Sequence, residues 1–147
     1  MEKKLLTSRK ELWKKLEKRG IRHTPQRAAV LEYLSQVHDH PTAEDVFFAV
    51  KRKLPKISLA TVYKNLEALV ASNAASKLTY GDGSARYDIR TDHHYHTRCL
   101  NCGSVSDLEP QHSGQWLARI RPGQQFKVVD YRLELLGYCH ECGGEPR

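Results

Sequence analysis

Two Cys-x2-Cys pairs, Cys99/Cys102 and Cys139/Cys142, use every cysteine of this 147-residue chain and stand 36 residues apart. Each pair has the spacing of a zinc knuckle, and each is followed by a glycine, Gly103 or Gly143. Glycine there permits a tight turn that aims backbone N–H groups at the sulfurs. Four thiolates close a tetrahedral shell and leave no open position, so an ion held this way is structural. Two disulfides or four free thiols are the competing readings. Matched pairs that consume all the cysteines favour zinc. Such a site would tie the first strand of a second domain to the end of the chain, and its loss would cost much of the fold, because metal binding and folding are coupled.

The length suits one domain or two small ones. A domain of half this length is marginal alone, so a metal or a dimer interface is a plausible staple. No apolar run approaches the ~20 residues that span a bilayer. The opening "MEKKLLTSRKELWKKLEKRG" alternates basic residues with leucines and lacks the continuous apolar segment of a signal peptide. The expectation is a cytoplasmic protein with no membrane partner, a setting in which paired cysteines more often bind metal than each other. The net charge of +7 is uneven: residues 1–80 carry 16 Lys/Arg against 8 Asp/Glu, a net +8, and residues 81–147 carry 8 against 9, a net −1. The first half is a candidate for a polyanion partner. Taken by itself, the charge is equally that of lysine-rich helix faces that keep a protein in solution.

Four helices are predicted in the first seventy or so residues. "SRKELWKKLEKRG" carries a capping box in Ser8 and Glu11, with Gly20 just past its end. "HTPQRAAVLEYLSQ" offers Thr24 as N-cap, Pro25 at the first helical position and the apolar stripe Val30, Leu31, Leu34. "PTAEDVFFAVKRKLP" starts at Thr42, has acids in its first turn and stops before Pro55. "SLATVYKNLEALV" follows Ser58, with Leu59, Val62, Leu66 and Leu69 on one face and Thr61, Tyr63, Lys64 and Asn65 on the other. The tight link between the last two suits a helix-turn-helix. "KLTYGDGSARYDI" then reads as a hairpin about Gly81-Asp82-Gly83. Helix, turn, helix and hairpin is the order of a winged helix, whose second helix of the pair enters the major groove of double-stranded DNA. Tyr63 and Lys64 are placed to reach bases or phosphates, with Ser58 and Thr61 on the same helix start, and Lys15, Arg22 and Arg27 on the DNA backbone. A half-buried core tyrosine at Tyr63 and an ordinary solvated Arg27 are the plainer alternatives.

The second half reads differently. "VSDL" and "FKVVDYRLELLGY" alternate as strands, and "SGQWLARI" is a short helix closed by Pro122-Gly123. The domain boundary falls between about Asp82 and Thr91.

With the cysteines assigned, His94 and His96 stand one residue apart, so on a strand both imidazoles share a face. They are half of a transition-metal site. Asp88 just upstream, Asp107 just downstream and His40 in the N-terminal half are the candidate partners, each ambiguous alone. His23, His38, His112 and His140 read as ordinary histidines, and alternation turns His93 away from the pair.

The motifs "RHTPQR", "HPTAEDVF", "SLATVYKNLEAL", "LTYGDGSARYD", "HHYHTRCLNCG", "LELLGYC" and the final Cys-x2-Cys, in that order, resemble the ferric uptake regulator family of bacterial metal-dependent repressors, and within it the peroxide-sensing branch. The likeness runs from about Leu12 to Cys142. It implies an α+β chain with a winged helix-turn-helix DNA-binding domain over residues 1–85, a hinge over 86–92, and a small α/β dimerisation and metal-binding domain over 93–147. It further implies a structural Zn(II) on Cys99, Cys102, Cys139 and Cys142, and a regulatory Fe(II) or Mn(II) on His40, Asp88, His94, His96 and Asp107. The mixed N/O donor set suits those metals. The iron-responsive branch commonly has glutamate at the positions of Asp88 and Asp107, so two aspartates lean towards peroxide sensing. Tyr131 stands where the family often has a histidine of an auxiliary site, which argues against a third ion.

The implied mechanism is a removable clasp. His40 belongs to the first domain, Asp88 to the hinge and the other three donors to the second domain, so one ion on all five fixes the two reading helices of a homodimer at the spacing of a near-palindromic operator. Bound Fe(II) would reduce peroxide beside its own ligands, and the oxidant formed would add an oxygen to His40 or His94 and release the clasp, a reaction Mn(II) does not support. The rival readings are a regulator that senses iron or zinc supply, a metal-dependent hydrolase and a protein-binding zinc ribbon. No Glu accompanies the histidines in the manner of His-Glu-x-x-His, so the expectation is a non-enzyme without a small-molecule substrate.

Overall fold

The structure is a computed structural model. It describes residues 9–37, 39–79, 84–90, 94–108, 119–120, 122–128 and 131–143. The chain divides into two compact units, Met1–Asp92 and His93–Arg147.

The first unit begins with four helices, α1 (Arg9–Lys18), α2 (Pro25–Gln36), α3 (Ala43–Lys51) and α4 (Leu59–Ala71). Local chemistry sets their ends. Gly20 takes φ +71° just past α1, which lets Ile21 N–H reach back 3.0 Å to the carbonyl of Leu16. Asn73, at φ +56°, does the same past α4, where Ala74 N–H bonds the carbonyl of Leu69 at 2.9 Å. Thr24, Thr42 and Ser58 cap α2, α3 and α4 through their side-chain oxygens. Thr42 forms a full capping box with Asp45. Ser8, expected to cap α1, lies outside the described residues.

The buried faces interlock. Leu12 and Leu16 of α1, Val30, Leu31 and Leu34 of α2, Val46 and Val50 of α3, and Val62, Leu66 and Leu69 of α4 form one apolar core. Each such leucine, fully withdrawn from water, stabilises the unit by about 1.5–3 kcal/mol before the entropy of ordering it is counted. Strands β1 (Ser76–Thr79) and β2 (Ala85–Asp88) close the unit as an antiparallel pair with Leu78 opposite Arg86. The turn at 81–83 lies outside the described residues. β2 takes in residues 86–88 of the stretch expected as hinge. Buried Tyr87 and Ile89 join the helical core from this strand and its exit.

The second unit is a three-stranded sheet in the order β4-β3-β5, from β3 (Tyr95–Cys99), β4 (Val105–Leu108) and β5 (Glu134–Gly137). β4 runs antiparallel and β5 parallel to β3. Among the described residues, the strand expected across "FKVVDYRLELLGY" is confined to its last third. The described residues 126–128 and 131–133 take no strand pairing. Alternation is satisfied by any extended chain, whereas a strand needs a hydrogen-bonding neighbour, and β3 is short. The helix expected over "SGQWLARI" lies outside the described residues apart from Arg119 and Ile120. Buried apolar residues of this unit are few, namely Tyr95, Cys99 and Val105 among the described residues, while Leu100, Phe126, Leu135 and Leu136 are exposed.

No described helix is long and apolar enough to cross a membrane.

Candidate metal centres and nucleic-acid surface

The four cysteines converge within the second unit. β3 ends on Cys99, and its parallel pairing with β5 sets Cys99 against Gly137, two residues before Cys139. Leu100 N–H bonds the Gly137 carbonyl at 2.8 Å and continues that pairing past the strand. Gly103, at φ +72°, closes the first knuckle with its N–H on the Cys99 carbonyl at 2.9 Å. A 3-10 turn over His140–Cys142, followed by Gly143 at φ +53°, closes the second. One sulfur from each cysteine lies within 4.8 Å of all the others. The sulfurs of Cys102 and Cys139 are 3.7 Å apart. That separation excludes a bond between them and matches the edge of a tetrahedron with metal–sulfur bonds of about 2.3 Å, which is about 3.8 Å. All four cysteines are free thiols, so the disulfide reading is not realised.

The thiols are tuned unequally. Backbone N–H groups, first that of Cys102 and then that of Cys139, stabilise the Cys99 thiolate and bring its pKa down to about 6. The Ser104 hydroxyl, 3.2 Å from Cys102 Sγ, lowers the pKa of that thiol. Cys142 goes the other way: the Asn101 side chain lowers it, but the Cys139 sulfur, desolvation and the remaining sulfurs outweigh this and push it up to about 12. Four adjacent thiolates repel one another, and a divalent cation at their centre removes that penalty.

The nitrogen and oxygen donors fall in both units. In the first, His40 Nε2 lies 3.7 Å from Asp88 Oδ2, with both side chains buried. β2 makes this approach. Tyr87 N–H bonds the carbonyl of Pro41 at 2.9 Å, and Arg86 Nη1 donates to the carbonyl of His40 at 2.8 Å. Arg90 N–H bonds Asp88 Oδ1 at 2.9 Å and leaves Oδ2 turned to the imidazole. In the second unit, His94 and His96 share a face as expected, with ring centroids 4.5 Å apart. Asp107 of β4 is the register partner of His96, and its Oδ1 lies 3.3 Å from His94 Nε2 and 3.6 Å from His96 Nε2. These are buried or half-buried donors of borderline and hard character, apt for Fe(II) or Mn(II). Two donors in one unit and three in the other are each an incomplete shell. His93 lies outside the described residues. Tyr131 packs on the other side of β3, its hydroxyl 3.2 Å from that of Tyr95.

The candidate DNA-facing residues lie on the first unit. Lys15, Arg22, Tyr63 and Lys64 are exposed. Tyr63 is 40% exposed and is not among the residues packed on the helical core. Arg27 is half-buried and donates to the Arg22 carbonyl. Ser58 and Thr61 are partly engaged with each other, the Ser58 oxygen accepting Thr61 N–H at 3.1 Å. Asn65, expected on the outer face with Tyr63, is buried instead and donates to the Thr61 carbonyl at 2.9 Å. Helical spacing turns it about 200° from Tyr63, onto the core side. Glu44, which sequence reasoning passed over, accepts the Tyr63 hydroxyl at 3.0 Å. Its bond and its charge, with some desolvation, raise the pKa of the phenol. No pattern in the sequence joins the two residues, since the contact depends on how α3 and α4 cross.

A winged helix-turn-helix in one chain with a thiolate cluster and buried His–Asp pairs is the build of a metal-dependent transcription regulator. The model of the ferric uptake regulator family matches residues 18–136, and the chain belongs to that family. It is 43% identical over 133 residues to the peroxide operon regulator of Bacillus subtilis (strain 168), covering 90% of this chain and 92% of that one. Among solved structures, the Campylobacter jejuni peroxide stress regulator matches with a TM-score of 0.65 at 28% identity, over 92% of this chain and 100% of that one. The ferric uptake regulator of Helicobacter pylori shares the fold, with a TM-score of 0.83 at 23% identity over 99% of this chain and 100% of that one.

Proposed function

We propose that this chain is a homodimeric repressor of the bacterial cytoplasm that binds a near-palindromic operator when Fe(II) or Mn(II) is held by His40, Asp88, His94, His96 and Asp107, and that it senses hydrogen peroxide. The observation that carries the reading is the division of buried donors: His40 with Asp88 in the first unit, His94 and His96 with Asp107 in the second. Neither set saturates a divalent ion, and an ion that takes both fixes one unit against the other. Cys99, Cys102, Cys139 and Cys142 hold a structural Zn(II), supported by the tetrahedral spacing of Cys102 and Cys139. The domains are then a DNA-binding 1–85, a hinge 86–92 and a dimerisation and metal-binding 93–147. Exposed Leu135 and Leu136 on β5, at the edge of the sheet formed by the described residues, support self-association, because the described residues of this unit bury little apolar surface. Lys15, Arg22, Arg27, Ser58, Thr61, Tyr63 and Lys64 form the DNA surface. The chain has no catalytic residues in the enzymatic sense.

The peroxide-named relatives support the choice of signal. Bound iron would supply redox chemistry in which one peroxide oxygen passes to an imidazole and the other leaves as water, the imidazole losing the two electrons that peroxide gains and the iron ending where it began. The residues' part would be to hold that chemistry beside His40 and His94, with His40, Asp88, His94, His96 and Asp107 as the donors. Oxidation of His40 or His94 lowers its basicity and removes it as a donor.

The test is metal titration of the zinc-loaded protein against DNA, followed by peroxide. Binding should rise with either metal, and only the iron form should lose it on peroxide treatment with one oxygen gained on a His40 or His94 peptide. DNA binding indifferent to both metals would refute the clasp. Metal-dependent binding without peroxide sensitivity would reassign the protein to sensing iron or zinc supply.

A further inference from the structure

Glu44 is unusual for a surface that meets DNA. It is an exposed carboxylate in the first turn of α3, and its acceptor oxygen is engaged by Tyr63 on the outer face of α4. The capping of α3 does not need it, because Asp45 already completes the capping box with Thr42. A free carboxylate there would only repel phosphates. Tyr63, for its part, has a ring that the core does not grip, being exposed and flanked on α4 by Lys64 and buried Val62.

We propose that Glu44 is a positioning residue for base reading, one that fixes the Tyr63 ring on the DNA-facing side of α4 and sets which hydrogen-bonding role its hydroxyl can play. With its proton committed to Glu44, the phenol meets a base as a rigid apolar edge and an acceptor. That suits the thymine C5-methyl, or an amino group of adenine or cytosine, and gives nothing to the acceptor pair of guanine. The carboxylate's repulsion of phosphates is the same for every sequence, so it weakens non-specific binding without weakening the base contact. The ordering cost of the tyrosine side chain is met before DNA arrives. The inference rests on the DNA-binding reading above.

The experiment uses full-length protein loaded with zinc and Mn(II). Wild-type protein selects a preferred duplex from a random library, and affinity for it is compared with that for a scrambled duplex of equal composition. In E44A this ratio should fall by roughly five-fold or more, the scale of one lost base contact. E44Q keeps an acceptor oxygen and should stay within about two-fold of wild type, a rescue that a purely electrostatic role would not give. Y63F should resemble E44A, and adding E44A to Y63F should lower the ratio no further, as expected of two residues acting through one contact. An unchanged ratio in E44A, or an equal further loss when E44A is added to Y63F, overturns the proposal. Because Y63F removes one exposed oxygen, it remains informative if E44A folds poorly. Failure of the wild type to select any duplex would instead refute the DNA-binding reading, and this inference with it.

Discussion

Asp107 stands directly opposite His96 in the antiparallel pairing of β3 and β4, its Oδ1 3.6 Å from the imidazole Nε2. The same oxygen is 3.3 Å from Nε2 of His94, so one carboxylate faces two nitrogens. The sheet register produces this arrangement, and it makes Asp107 the most sensitive point of the second unit's donor set.

Replacing Asp107 with alanine should weaken Mn(II) binding by more than the roughly 10- to 100-fold usual for loss of an outer-shell partner. Zinc content should be unchanged, because the sulfur cluster does not use this residue. Metal titration followed by elemental analysis checks both. Equal Mn(II) affinity in the variant would remove Asp107 from the site.

Cys102→Ser should release the structural ion and loosen the second unit. Structural zinc contributes on the order of 10 kcal/mol or more of binding free energy in small zinc domains, and that energy is spent on folding. The variant should lose zinc and the part of the strand signal in circular dichroism that comes from β3, β4 and β5, while the four helices and the β1-β2 pair of the first unit persist. A variant that keeps its full thermal stability would show that the knuckles are not a structural site.

Zinc affinity should fall as the pH is lowered, with a slope that steepens near pH 6. Only thiolates bind the ion, so each thiol still protonated must give up a proton. Cys142, pushed up to about 12, gives one across the whole neutral range. Cys99, held down at about 6, is already ionised at neutral pH and adds its proton only below that value. Chelator competition between pH 5 and 8, with proton release measured in two buffers of different ionisation enthalpy, reads the slope. A pH-independent affinity would contradict it.

Leu66→Ala should destabilise the first unit by about 2–5 kcal/mol, since this fully buried leucine sits in the shared helical core and its removal leaves a cavity. Urea unfolding followed by the helical signal measures it. Operator binding by the fraction that remains folded should be retained, because the residue faces away from the outer side of α4.

The helices of this protein are written locally. Thr24, Thr42 and Ser58 announce starts, Gly20 announces an end, and the stripe Val62, Leu66, Leu69 names a buried face, because caps and helical spacing act between residues a few positions apart. The thiolate cluster was equally legible, since its spacing restricts what four sulfurs can do. The sequence could not say how long β5 is, that Asn65 is buried, or that Tyr63 rests on Glu44. A strand lasts only as far as its neighbour pairs with it, and a side chain's surroundings depend on how helices cross. His40 meets Asp88 because β2 is hydrogen-bonded to Pro41, and Asp107 meets His96 because of one register among several that alternation permits. Residue types and spacing thus determined which donors exist. Tertiary pairing decided which of them meet, because contact between residues far apart in the chain is fixed only when the whole sheet and core have formed.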